Sequence, residues 1–224
     1  MKSNIQQQLP SNMSLKTKLS IELFLLFVAI PVSLLLPYSF KIKGATIMVA
    51  FIYLLYILFT KTGIKFNIKR DIDWKRFLKT TVIKFVVVAL VTTAYVYIVD
   101  PTKLFCVPST DMKLFIIILC VYTFLSVWPQ ELIYRTFFFA RYGQFFENKN
   151  LLIFVNAVIF CLAHLFLQNT LVTVLTFVGG LLFAYTFSKT KSTTLVSVEH
   201  ALYGNWLFTV GLGEMLAFPG MGAC

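Results

Sequence analysis

Charge is what this chain has least of. Only 13% of its 224 residues are Asp, Glu, Lys or Arg, where soluble domains carry about 25%. Set beside 58% hydrophobic and 17% aromatic residues, that scarcity excludes a soluble globular domain. Acidic residues are the rarer sign, nine against 20 basic, which leaves a formal net charge of +11. The excess does not imply a nucleic-acid partner. No reading motif accompanies it, and its densest cluster, residues 61–79, lies between apolar runs where anionic lipid head groups account for it. Four cysteines (Cys106, Cys120, Cys161 and Cys224) show neither metal-ligand spacing nor a paired framework. Cys120 and Cys161 are expected to act as small buried hydrophobes. The sequence also lacks the Gly-x-Ser-x-Gly nucleophile turn and the helical His-Glu-x-x-His zinc signature. Histidine occurs twice, at His164 and His200.

What fills the chain instead is a succession of apolar windows near 20 residues long, the length that crosses a bilayer as a helix. Alternating short strands, as a barrel needs, are not evident. The expected fold is all-α, a polytopic helical membrane protein with about seven transmembrane spans. Residues 1–18 read as a polar tail. Residues 19–112 read as a generic transmembrane region with spans near 20–40, 44–60 and 80–99, and the basic segment 61–79 as a cytoplasmic stretch lying on the membrane surface. Residues 113–213 form the core that carries the chemistry, with spans near 113–140, 151–167, 170–188 and 193–213; a tail covers 214–224. Pro31 and Pro37 are expected to kink or end the first span. Pro129 is expected to kink a single long fourth element, roughly 42 Å at the helical rise. Gly179-Gly180 is expected to allow close helix contact. The excess of Lys and Arg on alternate loops predicts a multi-pass cell-membrane protein with a cytoplasmic N-terminus. Composition suggests a bacterial source.

Three of the later spans carry almost all the deep polar groups. One holds Gln130, Glu131 and Arg135, the next His164, and the last Glu199, His200 and Asn205. A central charge costs roughly 2.5–3.5 kcal/mol to insert, so such groups persist where they face one another and act. Glu131 and Arg135 stand i,i+4 on one helical face, an orientation that favours an ion pair. Pro129 could start a fresh turn and leave backbone N–H groups near the carboxylate. Glu199 and His200 point about 100° apart, so both cannot face one point without a local break, which Gly204 could supply. A carboxylate and an imidazole can share a water as general bases, while a second imidazole and an amide can donate to a developing oxyanion. Glu131, His164 and His200 could equally form a three-ligand zinc site with an open water position. Water-activating amide hydrolysis is common to both readings.

At these residues the chain resembles the CAAX-protease and bacteriocin-processing (CPBP, or Abi) family of intramembrane endopeptidases. The family pattern is Glu-Glu-x-x-x-Arg, then Phe-x-x-x-His, then His-x-x-x-Asn or Asp on successive helices. Here the corresponding stretches read Gln130-Glu131-x-x-x-Arg135, Phe160-x-x-x-His164, and His200 followed by Asn205. The resemblance covers roughly residues 113–213. It implies catalytic roles for Glu131, His164, His200 and Asn205, with Gln130, Arg135 and Glu199 in support. His164 would partner the water with Glu131, and His200 and Asn205 would face the oxyanion. Two positions depart. Gln130 stands at the family's first glutamate and cannot accept a proton, and Asn205 stands five residues after His200, not four, with Gly204 between.

The expected function is therefore hydrolysis of a peptide bond, in a peptide or a membrane-associated protein, by a water activated by Glu131 and His164. Zinc is a possible addition, not a requirement. The alternative, raised by Gln130, is a catalytically impaired relative that binds or regulates another membrane protein. A small proton-linked carrier is a third reading, weakened by the lack of an internal repeat.

Overall fold

The computed structural model describes residues 14–62, 72–216 and 218, and among them every regular element is helical. Seven long stretches follow one another. They are α1 (residues 15–33), α2 (Phe40–Lys61), α3 (Trp74–Val99), α4 (Met112–Phe145), α5 (Lys149–Leu162, followed by a 3-10 turn at Leu165–Leu167), α6 (Thr170–Thr190) and α7 (Thr193–Val210). α2, α3, α4, α6 and α5 with its turn are each long and apolar enough to cross a membrane. The chain is an all-α polytopic helical membrane protein. α1 and α7 match the other two expected spans in position but carry more polar groups, with Lys16, Lys18 and Glu22 in α1 and Glu199, His200 and Asn205 in α7. The outer surface suits hydrocarbon: Leu125, Ile98 and Phe40 stand 72%, 78% and 89% exposed.

Local chemistry sets the helix starts. Ser39, Asp73, Asp111, Asn148, Asn169 and Ser192 each accept a backbone N–H from the first turn of the helix that follows. These caps move several expected boundaries. Asp73 accepts from the Arg76 N–H at 2.9 Å, so α3 begins at Trp74, not near residue 80. The end of the basic 61–79 segment is thus part of a long helix instead of a separate surface element; residues 63–71 lie outside the described ones. Ser39 likewise starts α2 at Phe40, ahead of the expected residue 44. α1 begins at Leu15, inside the expected polar tail, whose residues 1–13 are not described. After α7 a short 3-10 turn covers Glu214–Leu216.

Pro31 and Pro129 shape their helices without stopping them. Pro31 follows a π-helical turn at Leu25–Ala29, and Pro129 follows one at Tyr122–Val127. Proline has no N–H, and its ring collides with the carbonyl four residues back, here Phe27 and Leu125. Widening the preceding turn removes that collision while the helix continues. α4 is therefore one element of 34 residues. The helix does not restart at Pro129: the Leu132 N–H bonds back to Trp128 and Pro129 carbonyls, leaving no free N-terminal donors beside Glu131.

α7 is the hub, packed against α3, α4 and α6, while α5 lies along α6. Gly180 permits the α5–α6 approach, since a Cβ there would sit 3.0 Å from Ala157 Cα. One aromatic and aliphatic cluster, centred on Phe27, Leu58, Phe138 and Tyr142, joins α1, α2, α4 and α5. A second (Tyr122, Val127, Ala201, Phe208) and a third (Phe160, Phe183, Val196, Tyr203) flank the polar centre. Glu22 fastens α1 to α4: Arg141 donates to both its oxygens at 2.8 Å and the Tyr142 hydroxyl to one at 2.7 Å. Two cysteine expectations are revised. Cys120 is exposed on the apolar surface, with Cys161 only half-buried, and Cys106 is disulfide-bonded.

Candidate active site

Of the polar groups on α4, α5 and α7, Glu131, Arg135 and His200 meet directly, in an arrangement that spacing alone does not reveal. Glu131 is fully buried. Its Oε1 accepts a hydrogen bond from His200 Nδ1 at 2.7 Å, and its Oε2 lies 3.3 Å from Arg135 Nε. The partner of the carboxylate is thus His200. The pair expected from the sequence, Glu131 and His164 sharing a water, involves no direct bond, and among the described residues none joins the two. His164 sits past the end of α5, where its Nδ1 is 2.8 Å from the Phe160 carbonyl. A helix C-terminus leaves its last carbonyls unpaired, and this ring takes one of them.

These contacts settle both tautomers. A carbonyl can only accept, so His164 carries its proton on Nδ1 and leaves Nε2 a bare lone pair. His200 likewise donates from Nδ1 to a carboxylate. That leaves Nε2 as the His200 ring nitrogen turned away from the carboxylate. Both imidazoles contact the Phe160 ring, with ring centres 4.6 Å away for His164 and 5.7 Å for His200. Phe183 stacks on His200 at 4.3 Å and Tyr122 meets it edge-on at 6.0 Å. His200 is 6% exposed, held by three aromatic rings and the carboxylate.

Arg135 is sealed from solvent, with its guanidinium carbon 4.5 Å from the centre of the Phe160 ring and 5.7 Å from that of Phe183. Cation–π contact and the Glu131 charge replace the hydrogen bonds that its Nη1 and Nη2 lack. Gln130 turns to its own helix, donating to Ser126 Oγ at 2.8 Å; its Oε1 is buried without a partner. Asn205 faces α4 and donates to Thr123 Oγ1 at 3.1 Å. It lies 140° around α7 from His200 by the helical repeat. α7 stays regular through Gly204, so the expected break there does not occur.

Glu199 points away from His200, as adjacent helical residues must. It meets Lys84 of α3, whose Nζ donates to Glu199 Oε1 and to Thr186 Oγ1, both at 2.9 Å. The Tyr203 hydroxyl also donates to Glu199, at 2.9 Å. The core thus holds two balanced pairs, Glu131 with Arg135 and Lys84 with Glu199. Sequence reasoning missed Lys84, although it is the one charge in residues 80–99 and intramembrane charges signal themselves by cost. It also missed Asn156, fully buried on α5, whose amide donates to the Tyr134 carbonyl at 2.6 Å inside the π-helical turn Leu132–Phe137. Tyr122 gave no sequence signal, because a tyrosine in an apolar span is unremarkable.

A zinc ion held by Glu131, His164 and His200 does not suit these residues. Glu131 lies behind His200 on the Nδ1 side, opposite the free Nε2, and among the described residues no three His, Cys, Asp or Glu side chains converge as ligands. A cleft of about 700 Å³ beyond the end of α3 is lined by Tyr95, Asp100, Gln168 and Asn169 and by none of the site side chains.

The helical membrane architecture thus encloses a buried carboxylate–imidazole pair, Glu131 with His200. Residues 112–206, the stretch from the start of α4 to Trp206, match the family described as type II CAAX prenyl endopeptidase Rce1-like. The resemblance read from the three motifs to CAAX-type intramembrane proteases is met by that match, over the same part of the chain. No curated protein and no solved structure matches the chain.

Proposed function

We propose that this protein is an intramembrane endopeptidase of the CAAX type, hydrolysing a peptide bond with a water activated by imidazole. The observation that carries the reading is the 2.7 Å bond from His200 Nδ1 to Glu131, with the second carboxylate oxygen held by Arg135. A base oriented by a carboxylate that is itself held in place is the recurring arrangement for proton abstraction. In this reading Glu131 orients and His200 abstracts. The absent first glutamate then loses much of its weight, because Gln130 stands where no base is needed.

The water donates its hydrogens to His200 Nε2 and His164 Nε2, which leaves an oxygen lone pair aimed at the substrate carbonyl. Attack forms the new C–O bond as one proton passes to His200 Nε2. Collapse breaks the C–N bond, and the same proton goes to the departing amine. Glu131 stabilises the imidazolium formed between these steps. Aromatic walls around His200 exclude bulk water, which strengthens these electrostatic terms. The substrate is a peptide or membrane-associated protein, and by its family a prenylated C-terminal box is the first to try. The protein lies in the cell membrane with its N-terminus cytoplasmic.

The test is cleavage of an internally quenched peptide bearing a farnesylated cysteine before its last three residues, by the full chain in detergent micelles. Wild-type protein should cleave it, while His200→Ala and His164→Ala should each lose at least about 100-fold in kcat, the range for general acid–base groups. Glu131→Gln should fall nearly as far as His200→Ala. Equal activity in wild type and His200→Ala would refute the proposal. Partner binding by an inert wild type would instead favour the regulatory reading that Gln130 raises.

A further inference from the structure

Both imidazoles commit their Nδ1–H, His164 to the Phe160 carbonyl and His200 to Glu131, and in the endopeptidase reading each Nε2 accepts from the water. Neither is then left to donate to the oxyanion that forms when water adds to the scissile carbonyl. Asn205, the sequence's candidate for that task, faces Thr123. Arg135 has unpaired N–H groups but lies sealed beneath Phe160 and Phe183. A hydrolytic site needs a donor aimed at the developing charge, and these residues do not supply one.

Tyr122 does. Its ring lies in the site wall, edge-on to His200 at 6.0 Å. Among the described residues its hydroxyl has no hydrogen-bond partner, yet it is not among the sealed polar atoms of the core. The sequence makes room for it in one way: a Cβ on Gly204 would lie 1.9 Å from that oxygen and 2.3 Å from the ring carbon that bears it. Gly204 stands four residues after His200, one turn along the same face of α7. The hydroxyl of α4 therefore occupies the space that a side chain on the His200 face would fill. Phe208 and Phe218 pack on the ring at 4.9 and 5.9 Å and fix its direction.

We propose that Tyr122 is a catalytic residue whose hydroxyl donates a hydrogen bond to the carbonyl oxygen under attack, and that Gly204 is its positioning residue. The phenolic proton stays on Tyr122 throughout. The water proton goes to His200 and then to the amine, as above, so the donor is unchanged at the end of the cycle. This proposal rests on the endopeptidase reading.

The experiment compares wild type, Tyr122→Phe, Tyr122→Ala and the exchange Tyr122→Ala/Gly204→Asn with the same farnesylated peptide, following kcat, KM and thermal unfolding in micelles. Loss of a donor used in the transition state lowers kcat and kcat/KM together. Tyr122→Phe should lose about 100-fold in kcat, the cost of removing one oxyanion donor, with KM within threefold and an unchanged unfolding temperature. The exchange places an amide donor in the vacated space and should recover at least tenfold over Tyr122→Ala, which a wholly structural ring would not give. Tyr122→Phe within threefold of wild-type kcat overturns the proposal and leaves the endopeptidase reading standing. If Tyr122→Phe does not fold, the exchange decides, and no recovery there overturns it. An inert wild type overturns both.

Discussion

Two lysine–glutamate pairs in this protein have the same geometry and different surroundings, which makes them a measurement of what burial does. Lys84–Glu199 and Lys103–Glu214 each place Nζ 2.9 Å from a carboxylate oxygen. Side-chain exposures are 20% and 0% in the first pair but 37% and 59% in the second. Replacing Lys84 by Met keeps most of the stem volume and removes the ammonium. Glu199 then stays charged in the core, with the Tyr203 hydroxyl left as its donor. Breaking a buried pair costs about 3–5 kcal/mol, and the partial exposure of Lys84 places the expected loss near the lower end, about 3 kcal/mol. Lys103→Met should cost under about 1 kcal/mol, as exposed pairs do. Adding Glu199→Gln to Lys84→Met removes the stranded charge and should return about 2 kcal/mol, so the two substitutions are strongly coupled. Reversible unfolding in mixed micelles, analysed as a double-mutant cycle, reads these values. If Lys84→Met and Lys103→Met cost the same, or if Glu199→Gln adds its full cost to Lys84→Met, the account of a balanced charge pair in the core is wrong.

Other expectations follow from single contacts. Gly180→Val should destabilise the protein by about 2 kcal/mol or more, because even a Cβ meets Ala157 backbone at 3.0 Å and such overpacking cannot relax cheaply; the same unfolding assay checks it. Asn205→Ala should cost about 1 kcal/mol through the lost Thr123 bond and keep kcat within threefold, in contrast to His200→Ala. Arg141→Ala strips Glu22 of a two-pronged partner while Tyr142 remains; a loss of about 2–3 kcal/mol is expected for this partly buried pair, and faster proteolysis of α1 would report it.

Much of the fold was legible because the solvent imposes it. In hydrocarbon every backbone group must pair within its own segment, so apolar windows of bilayer length can only be helices. Positions of the seven long helices followed from that rule, and a single continuous element across Pro129 followed from alternation of the basic loops. Boundaries were read less well, since caps such as Asp73 and Ser39 lie among other polar residues and do not stand out until the helix is seen. At the centre, spacing put Glu131 and Arg135 on one helical face, as their ion pair has them, and placed Glu199 away from His200 by the 100° step. Which carboxylate meets which imidazole was beyond it. Glu131 and His200 are 69 residues apart, and only the tilt and depth of α4 against α7 bring them into contact.

The sequence by itself determined the membrane, the helices, the cost of the buried charges and the family pattern they form. Each of these depends on residue type and on distance along one helix. Tertiary structure alone decided that His200 is the partner of Glu131, that Lys84 answers Glu199, and that a glycine on α7 leaves its place to a tyrosine from α4. Those choices depend on how helices cross. A crossing is set by side chains far apart in the chain acting together, and no local spacing records it.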